Sequence, residues 1–140
     1  MTLTLTRRYR FSAVHVLARS DWTDAMNRET YGKCANPAGH GHNYAIEVSL
    51  RGAVEPESGM LAPLEEIDRA VQARVLDRVH HRHLNRDLPE FERVVPTAEN
   101  IARFVWRALV DALPKGALHR VRVVETPKNS AAYCGEPEDR

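Results

Sequence analysis

Residues 31–44 read Tyr31-Gly-Lys-Cys34-Ala-Asn-Pro-Ala-Gly-His40-Gly-His42-Asn-Tyr44, and the rest of the chain is read outward from them. One thiol precedes a His-x-His pair, and the sequence then alternates. Tyr44, Ile46, Val48 and Leu50 are apolar, while Ala45, Glu47, Ser49 and Arg51 between them are small or polar. A period of two marks a strand with one buried face. Continued backward, the same parity puts His40 and His42 on the apolar face, one strand step apart. Two imidazoles so placed can share a metal ion, and Gly41 leaves the other face bare for a close approach.

Toward the N-terminus, Leu3, Leu5, Tyr9, Phe11 and Ala13 share a parity that reaches His15, with Thr4, Thr6, Arg8, Arg10 and Ser12 opposite. Arg7 alone breaks the pattern. If this strand pairs with the next in a meander, His15 joins His40 and His42. Three imidazoles with an open fourth position form a catalytic zinc arrangement. A His-x-His alone equally fits two core histidines satisfied by hydrogen bonds. Residues 16–33 are polar and lack a sustained period, so they read as a long loop or short irregular helix that delivers Cys34.

Toward the C-terminus, Leu64, Ile67, Val71, Val75 and Val79 recur at helical spacing and end near His80-His81-Arg82-His83. Thr97 suits an N-cap, and Ile101, Phe104, Val105, Ala108, Leu109 and Ala112 continue as a second amphipathic helix. Val121, Val123 and Glu125 alternate as a third strand, and Ser130 to Cys134 give a shorter fourth. The order ββααββ predicts an α+β fold: an antiparallel four-stranded sheet with two helices on one face.

Composition sets the bounds. The 140 residues suffice for a single domain, 1–140. A net charge of +1 without a Lys/Arg patch argues against a nucleic-acid partner. There is no apolar run long enough for a membrane span and no signal-peptide pattern. Two cysteines, Cys34 and Cys134, form no disulfide pattern, and the expected location is cytoplasmic.

The stretches Phe11-Ser-Ala-Val-His15, Gly32-Lys-Cys34 and Gly39-His-Gly-His-Asn-Tyr44 together resemble the signature of the 6-pyruvoyltetrahydropterin synthase and 6-carboxytetrahydropterin synthase family. The resemblance continues through Ser58-Gly-Met60, His81-Arg-His-Leu-Asn85, Pro96-Thr-Ala-Glu-Asn100 and Val124-Glu-Thr126. It implies the tunnelling fold, assembled as a homohexamer of two trimers with active sites at subunit contacts. It implies Zn2+ on His15, His40 and His42, Cys34 as general base, and His81 as a proton relay. It also implies that Glu125, aided by Thr97 and Glu99, anchors a pterin. Two departures stand out. His80 occupies the place of the family's aspartate, which questions the relay or passes that role to Asp77 or Asp87. Ala98 replaces a second threonine of some relatives.

The implied substrate is the small-molecule pterin 7,8-dihydroneopterin triphosphate. One family reaction eliminates triphosphate with internal hydrogen shifts and gives 6-pyruvoyltetrahydropterin. The other also loses a two-carbon fragment, giving 6-carboxytetrahydropterin on the way to queuosine and other deazapurines. The five residues between Cys34 and His40, with the insertion before them, look more like the first type. A different class of reading makes Cys34 the fourth ligand of a structural zinc site in a non-catalytic family member.

Overall fold

A computed structural model describes residues 2–139. Two long strands carry the molecule. Strands β1 (Thr2–His15) and β2 (His40–Ala53) pair antiparallel along their whole lengths, from Thr2 opposite Ala53 to His15 opposite His40. Strand β4 (Leu118–Thr126) pairs antiparallel with β2, and β5 (Asn129–Tyr133) pairs antiparallel with β4. One element departs from the four-stranded antiparallel sheet predicted above. The two-residue β3 (Arg82–His83) runs parallel to β1 at Ala13 and Val14, giving a mixed five-stranded sheet ordered β3-β1-β2-β4-β5. So short a segment has no readable period.

Two helices cover one face of this sheet, as the apolar spacings require. Helix α2 (Leu64–Val71) continues through a π-helical turn (Gln72–Leu76) into α3 (Asp77–Val79), and buries Ile67, Val71, Val75 and Val79. After the single turn α4 (Leu84–Asp87), helix α5 (Ala98–Leu109) buries Ile101, Val105, Trp106 and Leu109. They meet the inner face of the sheet at Phe11, Tyr44, Ile46, Val48, Leu50, Val121 and Val123, all buried. Removing this apolar area from water is the main stabilising term.

Arg7, out of pattern in the sequence, lies on that inner face for a reason. Its guanidinium donates to Asp68 of α2 at 2.7 and 2.9 Å, and the Tyr9 hydroxyl donates to the same carboxylate at 2.6 Å. The insertion after β1 contains α1 (Asp24–Tyr31), N-capped by Thr23 Oγ1 accepting from Met26 N–H. A 3-10 turn (Gly32–Ala35) follows and carries Cys34. Among the described residues, no helix is long and apolar enough to cross a membrane.

Candidate active site

The site sits at the end of the β1–β2 ladder, on the helix-covered face. Register places His15 directly opposite His40, and His42 opposite Ala13, so the three rings share one corner of the sheet. Their ring centroids lie 4.5 to 5.0 Å apart, mutually edge-on. One nitrogen from each lies within 4.8 Å of the others, and among the described residues this is the group able to hold a metal ion. Cys34 is not a member of it.

Local interactions hold each histidine. The chain just after His15 is clamped by Asn85 of α4, which accepts from Val16 N–H at 2.8 Å and donates to Val16 O at 2.9 Å. Gly39 delivers His40 with φ +79; a Cβ there would stand 2.9 Å from Val14 Cγ1, so only glycine fits. Asn36 shapes the approach, its side chain accepting from Ala38 N–H and its carbonyl from Gly39 N–H.

Protonation follows from the partners. His15 is fully buried, and its Nδ1 lies 2.8 Å from the Pro96 carbonyl. A carbonyl only accepts, so Nδ1 carries the proton and Nε2 presents a bare lone pair. That Nε2 lies 2.9 Å from His40 Nε2. His42 Nε2 is buried with no hydrogen-bond partner among the described residues. A buried polar atom without a partner is costly, and a metal ion is the partner this geometry lacks. Burial, reinforced by the other rings, lowers the His15 pKa to about 4, so the imidazole is neutral as ligation requires. His40 is lowered too, by burial and by His42, against the opposing charge of Glu125. Three converging imidazoles with an exposed side suit a metal ion such as zinc with one position left open.

The other residues singled out in the sequence divide into two groups. Cys34 and Glu125, both half-buried, lie close enough to the cluster for their charges to act on Tyr44, which stacks on Phe11 and meets the His15 and His42 rings edge-on. The Cys34 carbonyl accepts from Leu17 N–H at 2.8 Å, tying its turn to the end of β1. Thr97 is the N-cap of α5, its Oγ1 accepting from Asn100 N–H, and Glu99 is exposed in the first turn.

His80 and His81 lie elsewhere, exposed along the outer edge of β1. His80 Nδ1 accepts from Ser12 N–H at 3.1 Å, His81 N–H donates to Ser12 O at 2.7 Å, and the two rings stack at 3.7 Å. His81 lines an open hollow of about 530 Å³ with Ser12, Asn43, His83 and Asp87, and His42 of the inner cluster borders the same hollow. Among the described residues, no hydrogen bond or ring contact joins either histidine to Cys34. His81 also has φ +59, the one positive value at a non-glycine residue described. Strain of that kind persists only where surrounding bonds enforce it, and here the β1 edge supplies them.

Two participants escaped the sequence reading. Pro96 contributes a backbone carbonyl, which no side-chain motif marks, and Tyr44 shares the parity of the core apolars. The available signal was a polar-tipped aromatic two residues beyond His42, on the same face.

Comparison with known proteins places this geometry. A family profile described as 6-pyruvoyl tetrahydropterin synthase matches residues 4–136. A 6-pyruvoyl tetrahydrobiopterin synthase of Poecilia reticulata is 40% identical over 132 residues, covering 94% of this chain and 90% of the relative. The solved structure of Caenorhabditis elegans 6-pyruvoyl tetrahydropterin synthase superposes with a TM-score of 0.93 at 41% identity, over 97% of each chain. A putative 6-carboxy-5,6,7,8-tetrahydropterin synthase of Archaeoglobus fulgidus is 34% identical over 87 residues, covering 61% of this chain and 67% of that protein.

Proposed function

Because the chain belongs to the 6-pyruvoyl tetrahydropterin synthase family, we propose that it is a zinc-dependent lyase converting 7,8-dihydroneopterin triphosphate to 6-pyruvoyltetrahydropterin. The observation that carries this reading is the cluster of His15, His40 and His42 with its unpartnered His42 Nε2. Zinc held there supplies Lewis acidity toward the hydroxyls of the substrate side chain. Cys34 takes a proton from the adjacent side-chain carbon as general base, and loss of triphosphate follows. Glu125, carried on β4 with the inward parity of Val121 and Val123, accepts the paired donors of the pterin edge. Thr97 and Glu99, at the start of α5, border the ring.

The pyruvoyl product is favoured over the carboxy product by coverage. Matches to pyruvoyl-type proteins run through 94% of the chain, against 61% for the carboxy-type relative. The site is completed between subunits of a homohexamer. Two features support this: among the described residues no hydrogen bond or ring contact joins His81 to Cys34, and two sheet edges stay open. Among the described residues, the outer side of β1 is paired only near its C-terminal end, at Ser12 by His80 and His81 and at Ala13 and Val14 by β3, and β5 ends the sheet.

Incubating the purified protein with 7,8-dihydroneopterin triphosphate tests the reading. Release of inorganic triphosphate with 6-pyruvoyltetrahydropterin is expected; a 6-carboxy product with a two-carbon fragment overturns it. Cys34→Ala tests the class. As a general base its loss lowers the rate by roughly 10²–10⁴-fold while zinc stays bound. Joint loss of zinc and stability would instead make Cys34 a ligand of a structural site.

A further inference from the structure

We propose that Tyr44 is a positioning residue for the metal centre: with the Pro96 carbonyl, its hydroxyl oxygen holds the His15 ring so that Nδ1 keeps its proton and Nε2 is offered bare to the ion. The inference rests on the zinc reading of the cluster given above.

Hydrogen-bond bookkeeping leaves one arrangement. His15 Nδ1 faces two oxygens, the Pro96 carbonyl at 2.8 Å and the Tyr44 hydroxyl at 3.2 Å. Were Tyr44 to donate to Nδ1, that nitrogen would be bare, and it would face the Pro96 oxygen acceptor to acceptor at 2.8 Å. The His15 proton would then sit on Nε2, closing the lone pair turned toward His40 and His42. With the proton on Nδ1 both oxygens accept a share of it, and the Tyr44 hydrogen turns away from His15.

Packing does not require this hydroxyl. Tyr44 is buried and lies flat on Phe11 at 4.7 Å, an arrangement that phenylalanine would reproduce. His15 Nδ1 is the one hydrogen-bond partner of this hydroxyl among the described residues. The hydroxyl dipole therefore has its negative end on the His15 N–H, which raises the donor strength of Nε2. Outer partners of a metal-bound imidazole act in this way, and their loss typically weakens metal binding by 10–100-fold.

The test measures zinc affinity of the full chain by competition with a chromophoric chelator. Tyr44→Phe should bind zinc about tenfold more weakly, since the Pro96 carbonyl remains. Tyr9→Phe serves as the control, because its hydroxyl bonds Asp68 away from the cluster; it should bind zinc like the wild type. In parallel, nitrogen-15 spectra of the zinc-free wild type should place the His15 proton on Nδ1, a readout independent of whether any variant folds. Tyr44→Phe binding zinc as tightly as the wild type, or a wild-type His15 proton on Nε2, overturns the role. A wild type that takes up no zinc at all fails at the metal reading itself, and the role falls with it.

Discussion

The chain carries two histidine clusters built from opposite materials. His15, His40 and His42 lie on the inner face of paired strands and converge within 4.8 Å, and His15 takes its tautomer from the buried Pro96 carbonyl. His80, His81 and His83 lie along the outer edge of β1: His80 and His81 bond Ser12 and stack on each other, while His83 pairs with Val14 through β3. The first is complete within one chain apart from the ion its free nitrogen calls for. The second is not: His81 is strained and faces an open hollow, and both ring nitrogens of His83 are buried without a hydrogen-bond partner among the described residues. A preorganised metal centre needs a rigid ladder. The relay proposed above, meeting its thiol across a subunit contact, makes use of the exposed edge.

Removing the inner cluster gives the largest expected effect. The double substitution His40→Ala and His42→Ala should take zinc content, measured by elemental analysis, from about one ion per chain to almost none. His80, His81 and His83 should not rescue it, since among the described residues they do not converge as a metal-holding group. A full zinc complement in the double variant would move the metal to the edge and erase the distinction between the clusters.

Changing the edge should separate rate from metal. His81→Asn keeps a residue that tolerates φ +59 while deleting the imidazole. Turnover should fall by roughly 10²–10⁴-fold with zinc content unchanged. Zinc loss, or full activity, would deny His81 its separate role.

Acid should expose the inner cluster in the metal-free protein. The folded-state pKa of His15 is about 4, below its ordinary 6.5, because burial disfavours the charged ring. The unfolded chain therefore binds this proton first as pH falls. The contribution is fully present above pH 6.5 and is lost progressively toward pH 4, a change on the order of 3 kcal/mol. Thermal melts of zinc-free protein should show this slope, and His15→Gln should flatten it. An equal slope in that variant would place the titration elsewhere.

The same contrast explains what the sequence disclosed. The inner face was legible because strand periodicity is local: alternation from Leu3 to His15 and from His40 to Leu50 fixes which side chains share a face. What stayed hidden depends on distant partners. The purpose of Arg7 becomes visible only through Asp68, 61 residues away, and the tautomer of His15 through Pro96, 81 residues away. The edge strand Arg82–His83 owes its existence to β1 alone, and two residues carry no pattern.

The smallest expected effect falls on His80, where the family's aspartate is missing. Its ring does two things an aspartate would do differently: it accepts the Ser12 N–H at 3.1 Å and stacks on His81 at 3.7 Å. Stacking fixes the plane of the neighbouring ring but supplies no fixed negative charge to favour its imidazolium form. His80→Asp keeps an acceptor within reach of Ser12 N–H and adds that charge beside His81. An opposite charge at such range favours the protonated ring by about one pKa unit or more. The alkaline side of the pH–rate profile should therefore extend upward, with turnover at neutral pH rising by less than about tenfold. Zinc content should not change, because His15, His40 and His42 are untouched. A fall in turnover with the profile unmoved would mean that His81 works through the stack, and that the histidine pair is a relay of its own design.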